Sequence, residues 1–252
     1  MLFRSKRIYQ KGFIVASDGN VSVRLDKERI MITPSGLNKG FLKGDELIVV
    51  DFSGKVITGS YKPSSETPMH LEAYKQREDI NAVIHAHPPI ATAFSIANVS
   101  LAQCILPEVI LSLGAIPTTQ YATPATYEGS EIIRELVTKF DAMVLDRHGS
   151  LTVGKTLEDA YNKLERVEHS AYITYMARQL GGANPLPVAE VNRLSDMAVK
   201  LGLKPEAATG CLKCGACNRK GGGRENKGSN ENKEAFLSNI ADEVVREIRK
   251  TC

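Results

Sequence analysis

The stretch "INAVIHAHPPIATAF", residues 80–94, decides how the chain is read. Ile80, Ala82, Val83 and Ile84 form an apolar lead-in, and Ile90 to Phe94 form an apolar lead-out. Between them stand two imidazoles, His85 and His87, one residue apart. An apolar run closed by Pro88 and Pro89 predicts a buried strand that ends where regular pairing must end. Residues i and i+2 of a strand share a face. His85 and His87 therefore project together just where the strand stops. Two buried imidazoles side by side are costly unless each is hydrogen-bonded as core structure or something binds both. The second choice suits a zinc ion or another transition metal.

Outward from this strand, the periodicity alternates between two and about 3.6. Residues 1–12 predict a first helix closed by Gly12. "NVSVRL" (20–25) and "RIMIT" (29–33) predict two strands around a short turn, and "DELIVVDFSGKVITG" (45–59) predicts two more. "MHLEAYKQRED" (69–79) predicts a helix that buries Met69, Leu71, Ala73 and Tyr74. After the histidines, "IATAFSIAN" predicts a helix, and 104–126 reads as short strands and loops. "GSEIIRELVTKF" (129–140) carries an apolar stripe of Ile132, Ile133, Leu136, Val137 and Phe140. "AMVLDRHGSLTVGK" (142–155) predicts a hairpin turning at His148-Gly149. A long helix follows from Thr156, placed as N-cap with Asp159 three residues on, to Gly181-Gly182.

Beyond about residue 205 the texture changes. "CLKCGACNRKGGGRENKGSNENK" holds almost no apolar residue except its cysteines and has the composition of a flexible linker. "EAFLSNIADEVVREIRK" is again helical, with Phe236, Ile240, Val244 and Ile248 four apart. Three segments are expected: a body over 1–205, a cysteine-containing linker over 206–232 and an amphipathic helix over 233–252. Cys211, Cys214 and Cys217 make two overlapping CxxC spacings, which suit a second metal or a redox pair, separate from the histidines.

With 252 residues and 27.5 kDa, the chain suits one generous domain plus an appendage. A net charge of +3 leaves no nucleic-acid footprint. The first twenty residues lack the apolar segment of a signal peptide, and no run approaches the roughly 18–20 apolar residues of a membrane helix. A cytoplasmic protein with reduced thiols and no membrane partner is expected.

Three loop motifs stand out beside "HAHPP" at 85–89: "GNVS" at 19–22, "TPSG" at 33–36 and "SSE" at 64–66. Taken singly, each is ordinary turn chemistry. Small hydroxyl residues beside glycine can also cradle a phosphate, and a lone glutamate among them can act as a base or a metal ligand. Taken together with the paired histidines and "HG" at 148–149, in this order and spacing, they resemble the class II aldolase/adducin family across roughly residues 5–185.

That resemblance implies an α/β fold, three α/β/α layers around a mixed, largely antiparallel sheet. It implies a homotetramer with sites between subunits and one divalent metal, most often Zn²⁺. It places Asn20, Ser35, Gly36, Ser64 and Ser65 at a substrate phosphate, His85 and His87 on the metal and Glu66 as acid/base. Counted along the family's spacing, the third metal ligand falls on Glu165, with His169 as its alternative, and His148 is left as a structural turn residue. The family's tyrosine proton donor has no counterpart in "LPEVILSLG", so Glu108 is expected in its place. The implied activity is cleavage of a 6-deoxyketose 1-phosphate, L-fuculose or L-rhamnulose 1-phosphate, into dihydroxyacetone phosphate and lactaldehyde. A pentulose-phosphate epimerase or a sugar-phosphate dehydratase would keep the same site, whereas the intact HxH and SSE speak against a third reading, a non-catalytic adducin-like module. The tail resembles the peptides that carry enzymes into bacterial microcompartments, which makes shell proteins candidate partners.

Overall fold

The computed structural model describes residues 1–203. Its framework is a seven-stranded sheet in the order β4-β3-β2-β1-β5-β7-β6. The strands are β1 (Asn20–Arg24), β2 (Arg29–Ile32), β3 (Ile48–Asp51), β4 (Val56–Thr58), β5 (Ala82–Ala86), β6 (Ala142–Leu145) and β7 (Gly149–Gly154). Every strand pair is antiparallel. Among the described residues, the one parallel pairing is an isolated bridge between Thr118 and Val144 at the outer edge of β6.

The stretch 80–87 supplies the central strand. β5 pairs with β1 on one side and β7 on the other, and all five of its residues are buried. A strand covered on both faces reads as an unbroken apolar run. The edge strand β4 is exposed along its whole length.

One face of the sheet carries Val83, Met143, Leu145, Leu151 and Val153 against α2 (Thr67–Gln76) and α5 (Glu128–Lys139). The stripe read in 129–140 lands here, with Ile133 and Val137 buried. The other face carries Ala82, Ile84 and Ala86 against α1 (Leu2–Gln10) and α6 (Leu157–Gln179). On that side α3 (Pro89–Ile96) and α4 (Pro107–Ser112) join α6 over Ala142 and Val144. These are the three layers expected. A one-residue slip of β5 would turn His85 into the apolar layer under α6 and Ile84 out of it. Burial of a Val or Ile side chain contributes about 1.5–3 kcal/mol, so the apolar alternation locks the register that places the histidines.

Thr156 caps α6 as expected, its hydroxyl oxygen accepting the Asp159 N–H at 3.1 Å. Two features depart from the sequence reading. Residues 107–112, read among strands and loops, form α4, with Pro107 at its first turn and Val109 and Ile110 buried. The segment after Gly182, to which no element was assigned, forms α7 (Val188–Lys200), burying Val191, Ser195 and Ala198 at helical spacing. The linker, its three cysteines and the terminal amphipathic segment lie outside the described residues.

Candidate active site

The site forms where β5 ends. His85 is fully buried and faces the α2/α5 side, paired across the sheet with Asn20 and Leu151. His87 follows just past the strand, its N–H donating to the Phe13 carbonyl at 2.7 Å. His148 arrives from the turn between β6 and β7. Two glycines allow this convergence. A Cβ at Gly149 would collide with the Ala86 carbonyl and the His87 ring, and one at Gly19 would collide with Ile14 and the His85 carbonyl. The β7 hairpin and the β1 entry therefore press against the end of β5 only because these positions lack side chains.

The three imidazoles bring one nitrogen each within 4.8 Å of one another. Nε2 of His85 lies 3.0 Å from Nε2 of His87. Nδ1 of His85 lies 3.0 Å from the Ser150 carbonyl, which can only accept, so Nδ1 carries the proton and Nε2 turns a lone pair inward. Burial, with His87 and His148 beside it, pushes His85 well below the usual imidazole range. Burial and the charge of His148 likewise lower His87, against the opposing pull of Asp18, whose Oδ2 stands 3.7 Å from His87 Nδ1. Buried imidazoles held neutral with inward lone pairs are what a divalent cation requires. Nitrogen ligands of a tetrahedral zinc lie roughly 3.3 Å apart, close to the 3.0 Å between His85 and His87.

Glu66, at the N-cap of α2, lies over this cluster. Its Oε2 is 3.2 Å from His85 Nε2, and its Oε1 is 3.4 Å from His148 Nε2. Asn20 donates from Nδ2 to Glu66 Oε2 at 2.8 Å and accepts at Oδ1 from His70 at 2.5 Å. Behind His70 lie Ser22, whose Oγ is 2.6 Å from His70 Nδ1, and Tyr74, whose hydroxyl is 2.9 Å from Ser22 Oγ. Burial pushes the His70 pKa down to about 3. A cleft lined by Glu66, Met69, Thr123, Thr126, Asp146 and His148 opens beside the carboxylate.

The structure corrects the metal-ligand reading. His148, taken as a turn residue, stands with His85 and His87, and Glu165 does not. Glu165 accepts the Tyr161 hydroxyl at 2.6 Å and faces Arg7 and Lys11 at 3.7 and 3.5 Å. His169 is exposed. The cause is parity: α6 packs on the Ile84 face of β5, whereas His85 projects from the opposite face. Asn20, expected at the phosphate, has both ends of its amide engaged by Glu66 and His70. Glu108 lies exposed on α4 and is not among the residues brought together around His85 and His148.

The two expected phosphate loops do meet. Pro34 bridges to Pro63, and the Ser35 N–H donates to the Lys62 carbonyl at 2.9 Å. Ser35, Gly36 and Ser65 are exposed beside one another's loops, and Ser64 is buried, its Oγ accepting the Glu66 N–H at 3.3 Å. Asp18 and the His70 group were missed. Their signals were present in "SDGN" and in the four-residue spacing of Glu66, His70 and Tyr74.

A sheet end bearing three convergent histidines and a glutamate is a candidate site for a divalent metal. The chain belongs to the family described as Class II Aldolase and Adducin N-terminal domain, whose model matches residues 3–175. It is thus an enzyme of the class II aldehyde-lyase kind, and the histidine triad is where its residues fit the metal on which that class depends. Among its relatives is an L-fuculose phosphate aldolase of Methanococcus maripaludis, 36% identical over 173 residues, covering 69% of this chain and 93% of the relative. A 3-oxo-tetronate 4-phosphate decarboxylase of Pectobacterium atrosepticum is 30% identical over 172 residues, covering 67% and 78%. A solved L-fuculose 1-phosphate aldolase structure matches with a TM-score of 0.73 at 30% identity, covering 80% of this chain and 94% of that one. Among the described residues, no helix is long and apolar enough to cross a membrane.

Proposed function

We propose that this chain is a metal-dependent aldolase that cleaves a 6-deoxyketose 1-phosphate, L-fuculose or L-rhamnulose 1-phosphate, into dihydroxyacetone phosphate and lactaldehyde. The observation that carries the reading is the Glu66 carboxylate spanning His85 and His148 at 3.2 and 3.4 Å. His85, His87 and His148 are the proposed metal ligands. A divalent cation bound there, with zinc favoured by three imidazole nitrogens, supplies Lewis-acid polarisation of the ketose carbonyl and hydroxyl oxygens.

The remaining chemistry belongs to the chain. Ser35, Gly36, Ser64 and Ser65 hold the phosphate and so fix the carbon next to the carbonyl under Glu66. In cleavage, the bond between the two halves breaks and its electrons pass into the dihydroxyacetone phosphate half. Glu66 then returns a proton to that carbon; in condensation it removes the same proton. The hydroxyl proton released as the aldehyde forms needs a second acceptor. Glu108 is proposed for that role, reaching the site from a second copy in the tetramer. The relatives named L-fuculose phosphate aldolase support the substrate class.

The relative named 3-oxo-tetronate 4-phosphate decarboxylase favours a second reading, decarboxylation of a phosphorylated keto acid with the same residues. Coupled assays for dihydroxyacetone phosphate and for carbon dioxide separate the two. Release of dihydroxyacetone phosphate from either ketose supports the aldolase. Carbon dioxide alone would sink it.

The segment reading, a body over 1–205 followed by a linker and an address helix for a microcompartment shell, stands as a further part of the proposal. Fusion of residues 231–252 to a fluorescent protein, co-expressed with shell proteins, tests it, and diffuse signal rejects it.

A further inference from the structure

Four buried side chains behind Glu66 form a line that the proposed reaction does not explain. Asn20 and Ser22 share a face of β1, and Glu66, His70 and Tyr74 recur every fourth residue along α2. Strand and helix therefore interleave: Glu66, Asn20, His70, Ser22, Tyr74, each within 2.9 Å of the next. Ser22 and His70 are fully buried, and Tyr74 is 1% exposed. At its far end the line is anchored by Arg24, which donates to the Tyr74 carbonyl at 2.7 Å and lies over the Tyr74 ring.

We propose that His70, Ser22 and Tyr74 are positioning residues that hold the Asn20 amide in one orientation, with its NH₂ toward Glu66. This rests on the reading of Glu66 as the acid/base residue. The argument is one of donors and acceptors. The Glu66 carboxylate only accepts, so Asn20 must offer Nδ2 and turn Oδ1 to His70. Oδ1 only accepts, so His70 must carry its proton on Nε2. Its Nδ1 is then an acceptor, which Ser22 must fill with its hydroxyl proton, and Ser22 oxygen in turn accepts from Tyr74. A flipped Asn20 would set two acceptor oxygens face to face at one end and two N–H donors face to face at the other. Leaving such buried groups unpaired costs about 1–3 kcal/mol each.

The line thus has one polarity, and it ends on Glu66 Oε2. That oxygen is held by a fixed donor, which leaves Oε1 aimed at His148 and the cleft. None of the three relay residues belongs to the metal cluster or the phosphate loops.

Two measurements on the full chain test this. In ¹⁵N-histidine-labelled protein, His70 must show the Nε2–H tautomer and Ser22→Ala must disturb it. An Nδ1–H tautomer in the unmutated protein overturns the relay whatever the activity. In kinetics, His70→Phe is expected to lower kcat on the order of 10²-fold. Its KM should stay within about threefold, with metal content unchanged. Exchange of the dihydroxyacetone phosphate C–H proton with deuterated water should fall in parallel. His70→Gln, which can still donate and accept, should recover most of the loss. A His70→Phe enzyme with unmutated kcat, a loss confined to KM, or a His70→Gln variant as impaired as His70→Phe overturns the proposal. If His70→Phe does not fold, Ser22→Ala decides: about a tenfold drop in kcat at constant KM supports the relay, and unmutated kcat overturns it. Failure of the unmutated enzyme to exchange that proton sinks the aldolase reading instead, and the tautomer then judges the relay alone.

Discussion

Two ionisable clusters, each with a buried member at its heart, sit at opposite ends of β5, and they are built on opposite principles. Before the strand begins, Arg77 clasps Asp79 with two hydrogen bonds of 2.7 and 2.8 Å and reaches Asp141 at 2.8 Å. Lys163 meets Asp141 at 2.9 Å and Asp159 at 2.8 Å and donates to the Val153 carbonyl at 3.1 Å. Opposite charges alternate there. Burial works to raise the Asp141 carboxyl, but Lys163 and Arg77 overcome it and hold its pKa below the usual carboxylate value. At the other end, three like imidazoles crowd together and burial lowers two of them. The first cluster completes itself. The second brings one imidazole nitrogen from each of three histidines within 4.8 Å of the others. Buried charge that is mutually paired is structural, and buried ligand atoms that converge are for binding.

The largest effect is expected at Glu66, the proposed acid/base residue. Glu66→Gln should lower turnover by 10²- to 10⁴-fold while metal content and thermal stability hold. Turnover within a few-fold of the unmutated enzyme would break the comparison at its functional end.

At the structural end, Asp141→Ala leaves Arg77 and Lys163 short of an acceptor. It should cost about 3–5 kcal/mol in denaturant unfolding, with metal content per folded chain unchanged. A variant of undiminished stability would show that this network does not hold the fold.

The clusters should also differ in acid. His70 ionises near 6.5 when unfolded and at about 3 when folded, so its stabilising contribution is present above about 6.5 and drains away as pH falls toward 3. The slope is at most about 1.4 kcal/mol per pH unit. Asp141, with a lowered pKa, keeps its contribution down to 3.8 and loses it only below. Unfolding curves of His70→Gln should therefore be flatter than those of unmutated protein between pH 6 and 4. Equal slopes would contradict the burial argument.

The smallest effect serves as a control. Thr156→Ala removes the α6 cap and should cost about 1 kcal/mol without touching catalysis, since α6 lies on the face away from the site. A loss of turnover would mean that the two faces of the sheet are coupled.

Much of this was readable beforehand for a physical reason. A central strand is covered on both sides, so its apolar run and its period of two are local signals. They sufficed to place His85 and His87 on one face. α6 and α5 announced themselves by cap and stripe. His148 was hidden because its partners are set by pairing across the sheet, Ala86 with Ser150, far apart in the chain. Next to a glycine it looked like turn chemistry. Glu165 was attractive by count along the chain, but counting cannot tell which face of a sheet a helix covers. Asn20 was readable as a site residue, but its pairing with His70, fifty residues away, was not. α4 and α7 are short amphipathic segments whose burial depends on their packing against each other and on the body.

The central claim is that the third metal-binding imidazole is His148 and not a residue of α6. Elemental analysis of purified unmutated protein, His148→Ala and Glu165→Ala, run beside the dihydroxyacetone phosphate assay, tests it directly. The account predicts about one metal per chain in the unmutated protein and in Glu165→Ala, and a loss of most metal and nearly all activity in His148→Ala. Metal and activity that survive in His148→Ala and vanish in Glu165→Ala would contradict it.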